Sequence, residues 1–112
     1  MTSVLLVCDS FGALKSCSAS GHAGLDVRGR DIVCAAESHL LRTAMELLDE
    51  SEGLDLLSDV SSRGKLAFSV EIEHPSSALT ERLKCTADFL RIGMSMLSEE
   101  YPEYVQLREI TE

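Results

Sequence analysis

The sequence predicts an α+β fold, with two helices packed on one face of a mostly antiparallel four- to five-stranded sheet in the order β-β-α-β-β-α-β. Three observations predict it. Residues 31–49 and 76–98 carry apolar side chains at helical spacing. Shorter stretches at 3–9, 14–22, 54–60, 65–73 and 104–110 are β-branched or alternate apolar with polar. Turn-forming Gly, Ser, Asp and Pro punctuate the chain between them. At 112 residues, 45% hydrophobic and 26% charged, the chain reads as one domain spanning residues 1–112 around a single core.

Taken in order, Val4-Leu5-Leu6-Val7-Cys8 is short and has no basic flank, so it reads as a buried strand rather than a signal peptide. Asp9-Ser10-Phe11-Gly12 is a turn, since Asp and Ser bond their own backbone and Gly tolerates unusual dihedrals. Leu14 to His22 returns as the second strand of a hairpin. Residues 23–30 read as a loop, and Arg28-Gly29-Arg30 within it is either a solvated connection or a flap that orders on a peptide.

Asp31 is placed as N-cap or first-turn residue of a helix running to Asp49. Val33, Ala36, Leu40, Leu41, Ala44, Leu47 and Leu48 make its broad apolar face, with Cys34, Ser38 and Met45 along one edge. Gly53 suits a left-handed cap after it. The strands at 54–60 and 65–73 join around Ser61-Ser62-Arg63-Gly64, and Pro75 stops the second of them. Ser76 or Ser77 caps the second helix, whose apolar residues fall into two stripes. Leu79, Leu83, Leu90, Met94 and Leu97 form one; Cys85, Phe89, Ile92 and Met96 form the other. One stripe covers the sheet, while the other calls for the first helix or a second copy of the chain, which is the basis for expecting a homodimer.

Composition narrows the function classes. A net charge of −9 argues against nucleic acid as a direct ligand, because phosphate binding needs clustered Lys and Arg. No apolar run approaches the roughly 18 residues of a membrane span. The cysteines at 8, 17, 34 and 85 form no C-x-x-C pair, and His22, His39 and His74 complete no metal-ligand spacing, so no metal is expected. With no secretory signal, reduced thiols in the cytoplasm are the expectation.

One stretch carries chemistry. In Gly21-His22-Ala23-Gly24 a histidine closes a strand between two glycines; in Asp31-Ile32-Val33-Cys34-Ala35-Ala36-Glu37-Ser38 a cysteine sits in the first turn of an expected helix. An imidazole within hydrogen-bond reach takes the thiol proton and later protonates a leaving group. Unpaired N–H groups at a helix start favour a thiolate and a developing oxyanion. Ser38, one turn after Cys34, shares its face and either bonds a substrate or bonds back to the carbonyl four residues earlier. Asp31 either orients His22 or caps the helix.

Gly-His-Ala-Gly, a spacer, then Asp-Ile-Val-Cys-Ala-Ala-x-Ser resembles the ribosomal-processing cysteine protease family of bacteria, and Tyr101-Pro102-Glu103-Tyr104 is similar to that family's C-terminal signature. The resemblance implies a cytoplasmic cysteine endopeptidase, with no metal or cofactor. Its members remove a short N-terminal extension from a large-subunit ribosomal protein around the time of ribosome assembly. Cys34 then is the nucleophile and His22 the general base and acid. Gly21, Gly24, Asp31 and Ser38, as motif positions, line the substrate site. The family resemblance also points to a homodimer. Glu37 departs from the pattern, where an apolar residue follows the Ala-Ala pair. A carboxylate there either opposes the thiolate or favours a protonated His22 or a basic group on the substrate. Two other readings stand beside the protease: a non-catalytic ribosome-associated interaction module, and a thiol hydrolase acting on another peptide.

Overall fold

Seven elements follow one another as expected: β1 (Thr2–Cys8), β2 (Leu14–Gly21), α1 (Arg28–Asp49), β3 (Leu54–Asp59), β4 (Lys65–Ile72), α2 (Ser77–Glu100) and β5 (Val105–Thr111). The structure is a computed structural model and describes residues 1–21, 28–60 and 65–112. His22, Gly24 and the turn expected at 61–64 lie outside the described residues. The strands form one sheet in the order β3-β4-β2-β1-β5. Three neighbouring pairs are antiparallel, as expected, and the pair β1–β5 is parallel, so the sheet is mixed.

The alternation of side chains explains how the sheet is used. Val4 and Leu6 of β1 pair with Ala19 and Cys17 of β2, which in turn pair with Leu66 and Phe68 of β4, and all six are buried. The intervening residues Ser16, Ser18, Ser20, Ala67 and Ser69 belong to the opposite face and bury no large apolar group. Both helices cover the first face. Val33, Leu41, Ala44 and Leu48 from α1 and Leu79, Leu83, Ala87, Leu90 and Met94 from α2 join the strand residues in one core.

Local chemistry sets the element ends. The Asp9 carboxylate accepts from the amides of Phe11 and Ala13, both at 2.9 Å, so Asp9 leaves the strand to build the hairpin turn. Ser76 caps α2, its hydroxyl accepting from the Leu79 amide at 3.0 Å. Arg91 of α2 clamps β5, holding Glu109 through Nε at 2.9 Å and Nη2 at 2.6 Å, and also reaches Asp88 at 2.7 Å. These hydrogen bonds hold the Glu109 carboxyl below its ordinary range.

Gly53 sits at φ +86°, and its carbonyl accepts from the amides of Glu73 and His74. A Cβ added there meets the His74 carbonyl oxygen at 2.6 Å. Gly53→Ala is therefore expected to lose about 1–3 kcal/mol, from left-handed strain plus the backbone clash, read as a lower urea midpoint.

The first helix differs from expectation in where it starts. Arg28-Gly29-Arg30 is helical rather than a loop or flap, while Asp31 falls in the opening turn, one of its two expected places. Two arginines favour helix, and together with the long apolar face that follows they outweigh the roughly 1 kcal/mol cost of one glycine. The second stripe of α2 divides as its spacing suggested: Cys85 is exposed, and Phe89, Ile92 and Met96 are 42%, 61% and 63% exposed.

Candidate active site

The candidate site gathers where β1 starts and β2 ends, beneath the N-terminal half of α1. Thr2 pairs with Gly21 on one side and Val105 on the other. Period-two alternation puts Thr2 on the same face as Val4 and Leu6, looking toward the helices, and it is buried. Its hydroxyl lies 4.0 Å from the Cys34 sulfur. Gly21 is pressed against the same threonine, since a Cβ there would stand 2.7 Å from the Thr2 hydroxyl oxygen and 3.2 Å from its Cα. His22 follows Gly21 directly in sequence.

The other end of Thr2 is fixed by the second motif. The Tyr101 amide donates to the Leu97 carbonyl to close α2, the amides of Tyr104 and Val105 both donate to the Tyr101 carbonyl, and the Thr2 amide donates to the Tyr104 carbonyl at 2.7 Å. Pro102 suits this tight reversal because it ends the helix without leaving an amide unpaired. Tyr101-Pro102-Glu103-Tyr104 therefore anchors the strand start on which the site rests.

Cys34 is half-buried, unlike Cys8 and Cys17, which are buried, and Cys85, which is exposed. Burial pushes the Cys17 thiol up to about 12 and raises that of Cys8, so neither is a nucleophile near neutral pH. Cys34 is the seventh residue of α1, not a first-turn residue. Its amide is within the intrahelical ladder, one turn beyond the opening N–H groups of Arg28–Asp31, so the helix-start contribution to a thiolate or oxyanion is small. Ser38 is half-buried one turn on, and among the described residues its hydroxyl does not back-bond to the Cys34 carbonyl, although Thr43 and Ser51 back-bond in the same helix. The Asp31 side chain is outside the described part of the structure. His39 and His74 are both exposed. No cluster of His, Cys, Asp and Glu among the described residues has a metal-binding arrangement.

Glu37 is the residue that stands out. It continues the buried stripe of Val33, Leu41, Ala44 and Leu48, is only 5% exposed, and its Oε2 has no hydrogen-bond partner among the described residues. Burial pushes its carboxyl up to about 7, with the Thr2 hydroxyl and the Met1 amino group opposing that shift. A carboxyl raised in the folded state contributes stability below the ordinary carboxylate range and loses it as pH rises through about 7. Thermal melts should therefore show Glu37→Gln more stable than wild type by a few degrees at about pH 8, with no such gain at about pH 5.

Cys34, Thr2, Gly21 and Glu37 thus meet at one end of the sheet. The last strand residue before His22 is part of that cluster. Sequence reasoning singled out Cys34, Gly21 and Glu37 but missed Thr2, whose one signal was a polar residue in phase with the inward-facing Val4 and Leu6.

Residues 1–106 match the family described as cysteine protease Prp. No curated protein matches the chain. Among solved structures, SMU.848 from Streptococcus mutans superposes with a TM-score of 0.76 at 25% identity, covering 100% of this chain and 96% of that one. The essential ribosomal processing protease Prp from S. aureus, in complex with a substrate peptide, gives 0.78 at 17% identity, covering 98% of this chain and 100% of that one. The same protease with a covalently linked product peptide gives 0.73 at 20% identity, with 98% and 100% coverage.

Proposed function

The chain belongs to the cysteine protease Prp family, and we propose on that footing that residues 1–112 form one protease domain in which Cys34 and His22 cut a peptide bond. The family match carries this reading. It is supported by the half-buried, non-core setting of Cys34 and by the position of His22 directly after Gly21. The His22 imidazole takes the Cys34 proton, and the sulfur attacks the peptide carbonyl carbon as the carbonyl electrons move to oxygen. The tetrahedral intermediate collapses to a thioester, and the C–N bond breaks as His22 protonates the departing amine. Water, deprotonated by His22, then attacks the thioester, releasing the acid and restoring the thiol. A covalently linked product peptide on the S. aureus relative supports such an acyl-enzyme route. Gly21, Gly24, Asp31 and Ser38 line the peptide site, and no metal or cofactor takes part in this route.

The substrate is a large-subunit ribosomal protein carrying a short N-terminal extension, cut in the cytoplasm during ribosome assembly. The ribosomal-processing relatives support that assignment. The test incubates the N-terminal segment of that protein from the same organism with wild type, Cys34→Ala and His22→Ala, and reads products by mass spectrometry. One cut, absent from both variants, is expected. No cut by folded wild type would reject the substrate.

The active assembly is a homodimer. The exposed stripe Phe89, Ile92 and Met96 continues into a shallow groove lined by Leu47, Arg82, Cys85, Thr86 and Phe89. An apolar face of this extent on a small chain favours self-association through matching helices. Light scattering at micromolar concentration should give a dimer for wild type and a monomer for Ile92→Glu. A monomeric wild type removes the dimer.

A further inference from the structure

The outward positions of α2 follow a spacing that reads the same from either end. Arg82, Cys85, Phe89, Ile92, Met96 and Glu99 are all exposed, and they succeed one another at intervals of three, four, three, four and three residues. Alternating threes and fours place them in one narrow stripe, the seam of a coiled coil, on the side of the helix away from Leu83, Leu90 and Met94 in the core. Two such helices pack by setting a knob from one into a hole made by four residues of the other, at i, i+3, i+4 and i+7. A hole of that make-up is open on the surface, because the groove beside Leu47 is lined by Arg82, Cys85, Thr86 and Phe89.

We propose that the homodimer closes by α2 packing antiparallel on the partner's α2, about a two-fold axis midway between positions 90 and 91, with Met96 of each copy filling the partner's groove. The proposal rests on the dimer reading above and adds its orientation and register. Charge selects the orientation. Neither Arg82 nor Glu99 has an ion-pair partner among the described residues. The Arg82 guanidinium donates through Nη1 to the Ser51 hydroxyl at 3.1 Å, which leaves its other donors for a carboxylate. Antiparallel pairing sets Arg82 against the partner's Glu99 at both ends of the seam. Parallel pairing would set Arg82 against Arg82 and Glu99 against Glu99, and like charges oppose docking. Between the ends, Phe89 meets the partner's Ile92 on both sides of the axis. Met96 is 63% exposed, and its unbranched, flexible side chain suits an irregular hole. Such a contact uses the same patch on both copies, so association stops at two.

Disulfide trapping and charge reversal on the full chain test the arrangement. In the antiparallel seam the two copies of Cys85 lie roughly 16 Å apart along the helix axes. A disulfide needs Cα atoms within about 7 Å. Diamide, which takes one hydrogen from each of two thiols as the S–S bond forms, should therefore leave wild type unlinked through Cys85. In Met96→Cys it should join position 96 of one copy to the partner's Cys85, identified by peptide mass spectrometry. By sedimentation, Arg82→Glu and Glu99→Arg should each raise the dimer dissociation constant about ten-fold, and the double reversal should return it to within about three-fold of wild type. A Cys85–Cys85 link in wild type, a dimeric Met96→Cys that stays unlinked, or a double reversal no tighter than the singles overturns the antiparallel seam and leaves the homodimer standing. A monomeric wild type overturns both.

Discussion

Cys34→Ala is expected to lower peptide cleavage by roughly 10³-fold or more while leaving the melting temperature within a few degrees of wild type. The two halves of that expectation come from one observation. Cys34 is half-buried at the edge of the α1 stripe and is not part of the core cluster, so shortening it leaves little cavity. Without the sulfur no thioester forms, and binding alone supplies what remains. Cys17 gives the opposite pair of results. It is 1% exposed between Leu6 and Phe68, and the hydroxyl of Cys17→Ser would be buried among apolar neighbours. That variant should lose about 1–3 kcal/mol of stability and keep its activity per folded molecule. Peptide cleavage and thermal melts on the two variants separate a chemical cysteine from a packing one. Equal loss of activity in both would reject Cys34 as the nucleophile.

The largest stability loss is expected from Leu83→Ala. Leu83 is fully buried on the inner stripe of α2, at the centre of the residues that pin this helix to the sheet. Removing three carbons costs their transfer free energy plus the cavity left behind, about 2–5 kcal/mol. For a chain of this length that lowers Tm by on the order of 10 °C. The same truncation at Ile92, one helical face away and 61% exposed, should cost under about 0.5 kcal/mol in the monomer. A Leu83→Ala melt within a degree or two of wild type would contradict the core assignment.

Much of this arrangement was legible in the residues, for identifiable reasons. Strand alternation at Leu66, Phe68 and Val70 and helical spacing at Leu79, Leu83 and Leu90 are local signals, and tertiary packing followed them. Gly53, Pro75 and Ser76 each mark a boundary through chemistry that acts within a few residues. The start of α1 was not legible, because Gly29 argues for a loop locally while the apolar face that stabilises the helix lies further along the chain. The role of Thr2 was hidden for a different reason. Its partners Gly21, Cys34, Glu37 and Tyr104 are spread over the chain, and only the sheet register brings them together. Glu37 was visible as a departure from an apolar arc, yet spacing alone could not tell a buried neutral carboxyl from an exposed charged one.

The parallel pairing of β1 with β5 has a consequence for how the molecule comes into being. Thr2 registers with Val105 and takes its amide acceptor from Tyr104, so β1 waits for β5, which is synthesised about a hundred residues later. The β1–β2 hairpin closes over a short loop and α1 follows it, but ring closure between β1 and β5 spans nearly the whole chain and is entropically the slowest contact to make. Until it forms, β1 is an unprotected sheet edge and the threonine beside Cys34 is untethered. The surroundings of Cys34 are therefore completed late, only once β5 has been synthesised, and until then a nascent molecule carries this thiol not yet held in place.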